Sequence, residues 1–278
     1  VNVFVTGGSS PLGELVLPRL AAVHDVWALA RSDAAAKLVE ARGATVVTGA
    51  LENGAGWPEM MRSADAVVHL AGLHLVDAII THVDSHQPLT VISSASVRNP
   101  AHPQSSALRD AEARLAAAKL DALVLLRPTM IYGSSGDRNV RNLARMVARL
   151  PAVPRFVGGG VVQPVLADDV ADAVLTTLGN MGRTEAELAG PVPMRLGDLV
   201  RDLARLLGTP VLPVPVPVGA LAWLAANAGG RQSRTRHALA MLRHDRAVTP
   251  AGIETLGHSP TPLAEGLPLA LSRYAGVS

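Results

Sequence analysis

Residues 6–13 read TGGSSPLG and stand directly behind the apolar run VNVF at 1–4 and Val5. A strand that ends in glycines and opens into a helix lets backbone N–H groups approach a pyrophosphate, with the positive end of the helix facing it. Gly7 supplies the first turn and Gly13 the close strand–helix contact, while Pro11 suits the first helical position and Ser10 the cap before it. Ser10 stands where a third glycine is usual. It adds a β-carbon at the point of closest approach, together with a hydroxyl suited to bonding a phosphate oxygen, and Gly8 restores freedom nearby. The turn alone reads either as structural or as nucleotide-binding. Its place behind a first strand, at the head of a strand–helix rhythm, favours the second reading.

That rhythm runs through the first 180 residues. Apolar strands are predicted at 1–6, 25–30, 44–49, 66–71, 89–94 and 122–128, separated by helical patterns of which SALRDAEARLAAAK (106–119) is the clearest. Runs so continuously apolar suit strands covered on both faces, so the expected fold class is α/β, a Rossmann-type doubly wound parallel sheet. After about residue 180 proline and glycine punctuate shorter helices. GTPVLPVPVPVG (208–219) is too rich in proline for a central strand and predicts an extended connector or edge. The expected division is therefore a nucleotide-binding body over 1–180 and a smaller substrate-side cap over 181–278, with a lid over about 208–245.

The chain has 278 residues, 49% of them hydrophobic and 17% charged, which is a globular composition. With no cysteine, disulfides, thiol catalysis and cysteine-held metals are excluded. No apolar run approaches a membrane span, and the first residues lack the basic stretch of a signal peptide, so the expected location is cytoplasmic. A formal charge of +2 gives no general nucleic-acid footprint. The one basic cluster, RQSRTRH at 231–237, reads as a solvated face or an anion site. HVDSH puts His82 and His86 one helical turn apart, but without a third placed ligand no metal is expected.

Arg31 and Ser32 follow the second strand. An acid there would bond the ribose 2′-hydroxyl of NAD, whereas an arginine followed by a hydroxyl residue favours the 2′-phosphate of NADP. NADPH is therefore the expected cofactor, with a solvated strand-end arginine as the alternative.

Through TGGSSPLG, DAVVHLAG (65–72), VISSASV (91–97), LRPTMIYG (126–133) and QPVLADDVADAV (163–174), the chain resembles the extended and atypical short-chain dehydrogenases/reductases, a group that includes the NAD-dependent epimerases/dehydratases. By position, the resemblance implies Gly7, Ser9, Ser10, Leu12 and Gly13 around the pyrophosphate and Arg31 and Ser32 near the adenosine phosphate. It implies Ala50 and Leu51 near the adenine, where the family usually has an acid at the first position. Leu70, Ala71 and Gly72 fall at the ribose, and Pro128, Thr129 and Ile131 on the nicotinamide side.

The family's ketone reducers protonate the substrate oxygen with a Tyr-x-x-x-Lys dyad assisted by a serine or threonine, because hydride arriving at carbon leaves charge on oxygen. Ser94 matches the serine. The dyad is missing: the only tyrosines are Tyr132 and Tyr274 and the only lysines Lys37 and Lys119, so no such spacing occurs. The vacated positions are Gln104 and Leu108, or Ser106 and Asp110. Three readings stay open. The chain binds NADP(H) without catalysis, as a sensor or regulator; it reduces a carbonyl with another proton source; or a histidine such as His102 replaces the tyrosine. In the second reading a phenol beside the ketone, as in fused aromatic polyketides, donates the proton while Ser94 orients the oxygen. The chain is similar to the dyad-lacking ketoreductases that act on angucyclinone-like polyketides. That resemblance implies a small-molecule aromatic ketone as substrate, and the apolar cap with Trp223 suits a large planar ligand.

Overall fold

The computed structural model describes residues 1–54, 56–100, 102–157, 160–217 and 251–274. The chain forms two compact units. The first comprises Val1–Pro128, Ala167–Leu188 and Ala251–Ser259; the second is built from Thr129–Leu166 and, among the described residues, 189–217 and 260–274.

In the first unit the apolar runs become strands β1 (Asn2–Thr6), β2 (Asp25–Ala30), β3 (Thr45–Thr48), β4 (Ala66–His69), β5 (Leu89–Ile92) and β6 (Leu123–Pro128). Together with β7 (Arg183–Leu188) they make one sheet in the order β7-β6-β5-β4-β1-β2-β3, parallel throughout. Right-handed crossovers send the helices that follow β1 and β2 to one face and those that follow β4 and β5 to the other, which is the doubly wound arrangement. From β1 the chain builds outward through β2 and β3, then returns to lay β4 on the other side of β1. The loops leaving β1 and β4 therefore diverge, and a crevice opens at the carboxyl ends of these two strands.

Phe4 of β1 pairs with Trp27 on one side and Val67 on the other, and its ring stacks on Trp57, centroids 6.2 Å apart. Both Phe4 and Trp57 are fully buried in the core of this unit. Strand β7 has no apolar run behind it. It reads RTEAEL, alternating charged residues with Thr184, Ala186 and Leu188, as an edge strand with one wet face should. Its Glu185 reaches Arg127 and its Glu187 reaches Arg98, so the charges that hide the strand from a hydrophobicity reading are paired in the fold.

In the second unit, helices Val140–Ala148 and Leu196–Leu206 bury Val140, Ala144, Leu196, Leu199 and Leu203 in one core together with Tyr132 and Leu267. Asp137 accepts from the N–H groups of Asn139, Val140 and Arg141, capping the first of these helices, and also accepts from the Tyr274 hydroxyl. The Tyr274 hydroxyl in turn accepts from the Gly133 N–H at 2.9 Å, which ties the helix Leu263–Arg273 to this cap. The proline-rich stretch forms the strand Val211–Pro217, paired in parallel with Val153–Val157 and shifted in register between Leu212 and Pro215. It makes a two-stranded edge, because prolines withhold ladder donors. The expected lid over 208–245 lies outside the described residues from 218 onward, as do Trp223 and the arginine cluster at 231–237. No helix among the described residues is long and apolar enough to cross a membrane.

Candidate functional site

The turn after β1 is shaped by three glycines for different reasons. Gly7 has φ +74°, and a β-carbon there would lie 2.5 Å from the Ala71 nitrogen and 2.6 Å from the Leu70 carbonyl carbon, so the loops leaving β1 and β4 touch backbone to backbone. A β-carbon on Gly13 would lie 2.3 Å from the Gly8 oxygen, so helix α1 (Gly13–Ala21) packs directly on the turn. Gly8 is required for space: the missing β-carbon leaves room for Leu17, Ala28 and Val39. The Ser10 hydroxyl accepts the Gly13 N–H at 3.1 Å and its carbonyl accepts from the Glu14 N–H, the two bonds of a capping residue, although the regular helix begins three residues on. That hydroxyl keeps its own proton available for an acceptor.

A cavity of about 320 Å³ opens over this turn, within the range of small-molecule sites. Gly7, Ser9 and Ser10 line it from the first loop and Ala71 and Gly72 from the fourth. Arg31 lines it from the end of β2, exposed and without a hydrogen bond or ion pair among the described residues. Ser32 is occupied otherwise: its hydroxyl accepts from the Ala35 N–H and caps the helix Asp33–Ala41. After β3, Ala50 and Leu51 line the cavity, and the fully buried Trp57 fixes the Ala50 carbonyl by donating its indole N–H at 3.0 Å. Leu12 sits behind the turn at the cap of α1, and Leu70 is buried at the end of β4.

Two cavity side chains escape a reading of sequence. Glu52 brings a carboxylate two residues beyond Ala50, where the family pattern has its acid, and His74 reaches back across Gly72, whose hypothetical β-carbon would lie 2.5 Å from the ring. Glu52 lies outside the aligned position, and His74 gave no periodic signal. Beneath the cavity, Thr6 and His69 face each other across β1 and β4 with a 2.7 Å hydroxyl–Nδ1 hydrogen bond. Burial pushes the His69 imidazole down to about pH 4, against a backbone contact at Gly72 that favours its charge, with His74 adding a smaller depression. His69 is therefore neutral at physiological pH.

Ser94 follows β5 on the same edge of the sheet. Its Oγ accepts from the Ser96 N–H at 3.2 Å, and its hydroxyl proton has no acceptor among the described residues. Its neighbour Ser93 is committed, donating to Glu112 at 2.5 Å. Glu112 takes two bonds from Arg127, at 2.9 and 2.8 Å, and Arg127 gives a third to Glu185. This fork occupies both Glu112 carboxylate oxygens, and Glu112 anchors Ser93. Of the vacated dyad positions, Gln104, Ser106 and Asp110 are exposed and Leu108 packs on the apolar core. The ring of His102 faces the Gln104 N–H, His82 stands edge-on to Trp57, and His86 pairs with Asp121. No group of three or more metal-binding side chains gathers among the described residues.

Pro128 ends β6 in the first unit. Thr129 and Ile131 belong to the second, where the Thr129 hydroxyl donates to the Gln163 carbonyl at 2.5 Å and Ile131 pairs with Val165.

No family model matches the chain. A sterol-4-alpha-carboxylate 3-dehydrogenase (decarboxylating) from Dictyostelium discoideum is 38% identical over 71 residues, and the match spans 25% of this chain and only 22% of that relative. Among solved structures, the triphenylmethane reductase of Citrobacter sp. complexed with NADP(H) superposes with a TM-score of 0.77 at 20% identity, covering 98% of this chain and all 100% of that one. A nucleoside-diphosphate-sugar epimerase from Pseudomonas aeruginosa gives 0.74 at 19%, covering 100% and 99%. These likenesses establish a shared fold with a nicotinamide-dependent reductase and a sugar-nucleotide epimerase.

Proposed function

We propose that this protein is an NADPH-dependent oxidoreductase, a ketoreductase that acts on an aromatic, angucyclinone-like polyketide ketone. The observation that carries the cofactor half is Arg31: an exposed guanidinium without a partner among the described residues lines the cavity over the glycine turn. An arginine fork matches a phosphate better than a ribose hydroxyl. Gly7, Ser9, Ser10 and Gly13 fit a pyrophosphate, since no β-carbon obstructs the turn at Gly7 and Ser10 retains a donor. Glu52 offers the carboxylate for the adenine amine that Ala50 lacks. When bound, the cofactor supplies hydride.

The chain's own contribution to the oxygen is Ser94, whose free hydroxyl proton suits orientation of a carbonyl. With Ser93 committed to Glu112 and no tyrosine or lysine at the vacated dyad positions, the proton is best supplied by the substrate's own phenol. The solved relative that reduces triphenylmethanes is consistent with a large aromatic substrate, and its bound NADP(H) with this cofactor. A noncatalytic NADP(H)-responsive protein is the second reading, favoured by the vacant dyad.

The test is NADPH oxidation across a panel of aromatic ketones, each with a free ortho-phenol and as its methyl ether. The expected result is turnover of the phenols and poor turnover of ethers that still compete for binding. Rapid reduction of the ethers would eliminate the substrate-donated proton, and oxidation with none of the panel while NADPH binds would leave the noncatalytic reading.

A further inference from the structure

Arg42 follows the helix Asp33–Ala41 and points into the back of the glycine turn. Its Nη1 donates to the Gly8 carbonyl at 2.5 Å and to the Ser10 carbonyl at 3.2 Å, bridging the residues on either side of Ser9. The peptide unit is planar and trans, so a Gly8 carbonyl drawn toward Arg42 turns the Ser9 N–H the opposite way. Ser9 lines the cavity, and its N–H has no acceptor among the described residues. A cation just past a helix often serves the last carbonyls of that helix. Here the Nη1 bonds go to the turn instead.

We propose that Arg42 is a positioning residue of the dinucleotide site: it sets the direction of the Ser9 N–H, so that NADPH and NADH depend on it to the same degree while Arg31 alone separates them. The proposal rests on the dinucleotide-binding reading above. Burial of the guanidinium disfavours its charge more than the nearby Glu14 carboxylate favours it, and its position is fixed by the two bonds to the turn carbonyls. Arg42 acts through the backbone and does not touch the ligand.

The experiment is calorimetric titration of NADPH and NADH into the parent protein, Arg42→Ala, Arg42→Lys and Arg31→Ala, well below each protein's unfolding midpoint. Arg42→Ala should weaken both ligands by the same factor, about tenfold, as expected for loss of a charge-assisted hydrogen bond that fixes one donor. Arg42→Lys should recover part of that loss. Arg31→Ala should weaken NADPH alone. A purely stabilising role for Arg42 would lower the melting temperature and leave both affinities in place, which overturns the proposal. Loss of NADPH affinity alone would overturn it too, by making Arg42 a 2′-phosphate ligand, as would a complete failure of lysine to recover binding. Should Arg42→Ala not fold, Arg42→Gln, which keeps one donor, is read on the same two ligands: equal losses support the proposal and unchanged affinities refute it. If the parent binds neither dinucleotide, the functional reading itself falls, an outcome distinct from any of these.

Discussion

Ser93 and Ser94 are adjacent and chemically identical, and their partners separate them. Ser93 spends its proton on a carboxylate already clamped by Arg127, whereas Ser94 receives an N–H and keeps its proton. The motif match singles out Ser94, and the location of Glu112 and Arg127 in the fold shows how its neighbour is committed elsewhere. If the substrate's phenol is the acid, Ser94→Ala should lower turnover by less than about tenfold, since the hydroxyl stabilises charge alongside an existing internal hydrogen bond. A loss of about 10² to 10⁴-fold in steady-state rate would make Ser94 the general acid instead. Glu52 illustrates the converse limit. The absence of an acid at position 50 is visible in the sequence, whereas the place of Glu52 in the cavity lining is seen only in the loop after β3, where the indole of Trp57 bonds the Ala50 carbonyl.

At the scale of elements, the β1–turn–α1 unit was the most legible part of the chain because each of its residues is constrained locally. Gly13 meets the Gly8 oxygen, a backbone atom with little freedom to retreat. Gly13→Ala should therefore destabilise the protein by about 1 to 3 kcal/mol, read as a lower urea midpoint, in keeping with other overpacked sites. Beneath the turn, the Thr6–His69 pair should make stability depend on pH. The imidazole titrates near 6.5 when unfolded and near 4 when folded. As pH falls through 6.5 the unfolded chain takes up a proton that the folded chain refuses. Stability should drop between about pH 6.5 and 4 and level off below, by about 3 kcal/mol in all for this group. Urea titrations over this range should show the slope in the parent protein and a shallower one in His69→Asn; equal slopes would remove His69 as its origin. Of the seven strands of the main sheet, β7 was the one that sequence left out. Its alternating charges carry no strand signal until Arg127 and Arg98 are in place to pair with them.

For the whole molecule, six strands and their parallel order follow from apolar runs separated by helices, a pattern set by burial on both faces. The grouping of Thr129–Leu166 with later residues in a second unit is not a local property. It arises from pairings such as Met130–Tyr132 with Pro164–Leu166 and from the bond between Tyr274 and Asp137, which lie far apart along the chain. The cavity is intermediate between these cases. Its glycine turn and Arg31 were readable, whereas His74 enters from a loop, and Arg42 supports the turn from a helix end, where no motif marks them. The central claim is that this cavity selects NADPH through Arg31. It is tested most directly by calorimetric titration of the parent protein with NADPH and NADH at fixed, low ionic strength. A charge-assisted pair with the 2′-phosphate is worth about 1.5 to 3 kcal/mol, so NADPH should bind on the order of tenfold or more tightly, and Arg31→Ala should erase most of that preference. Equal affinities of the parent protein for the two dinucleotides would contradict the account.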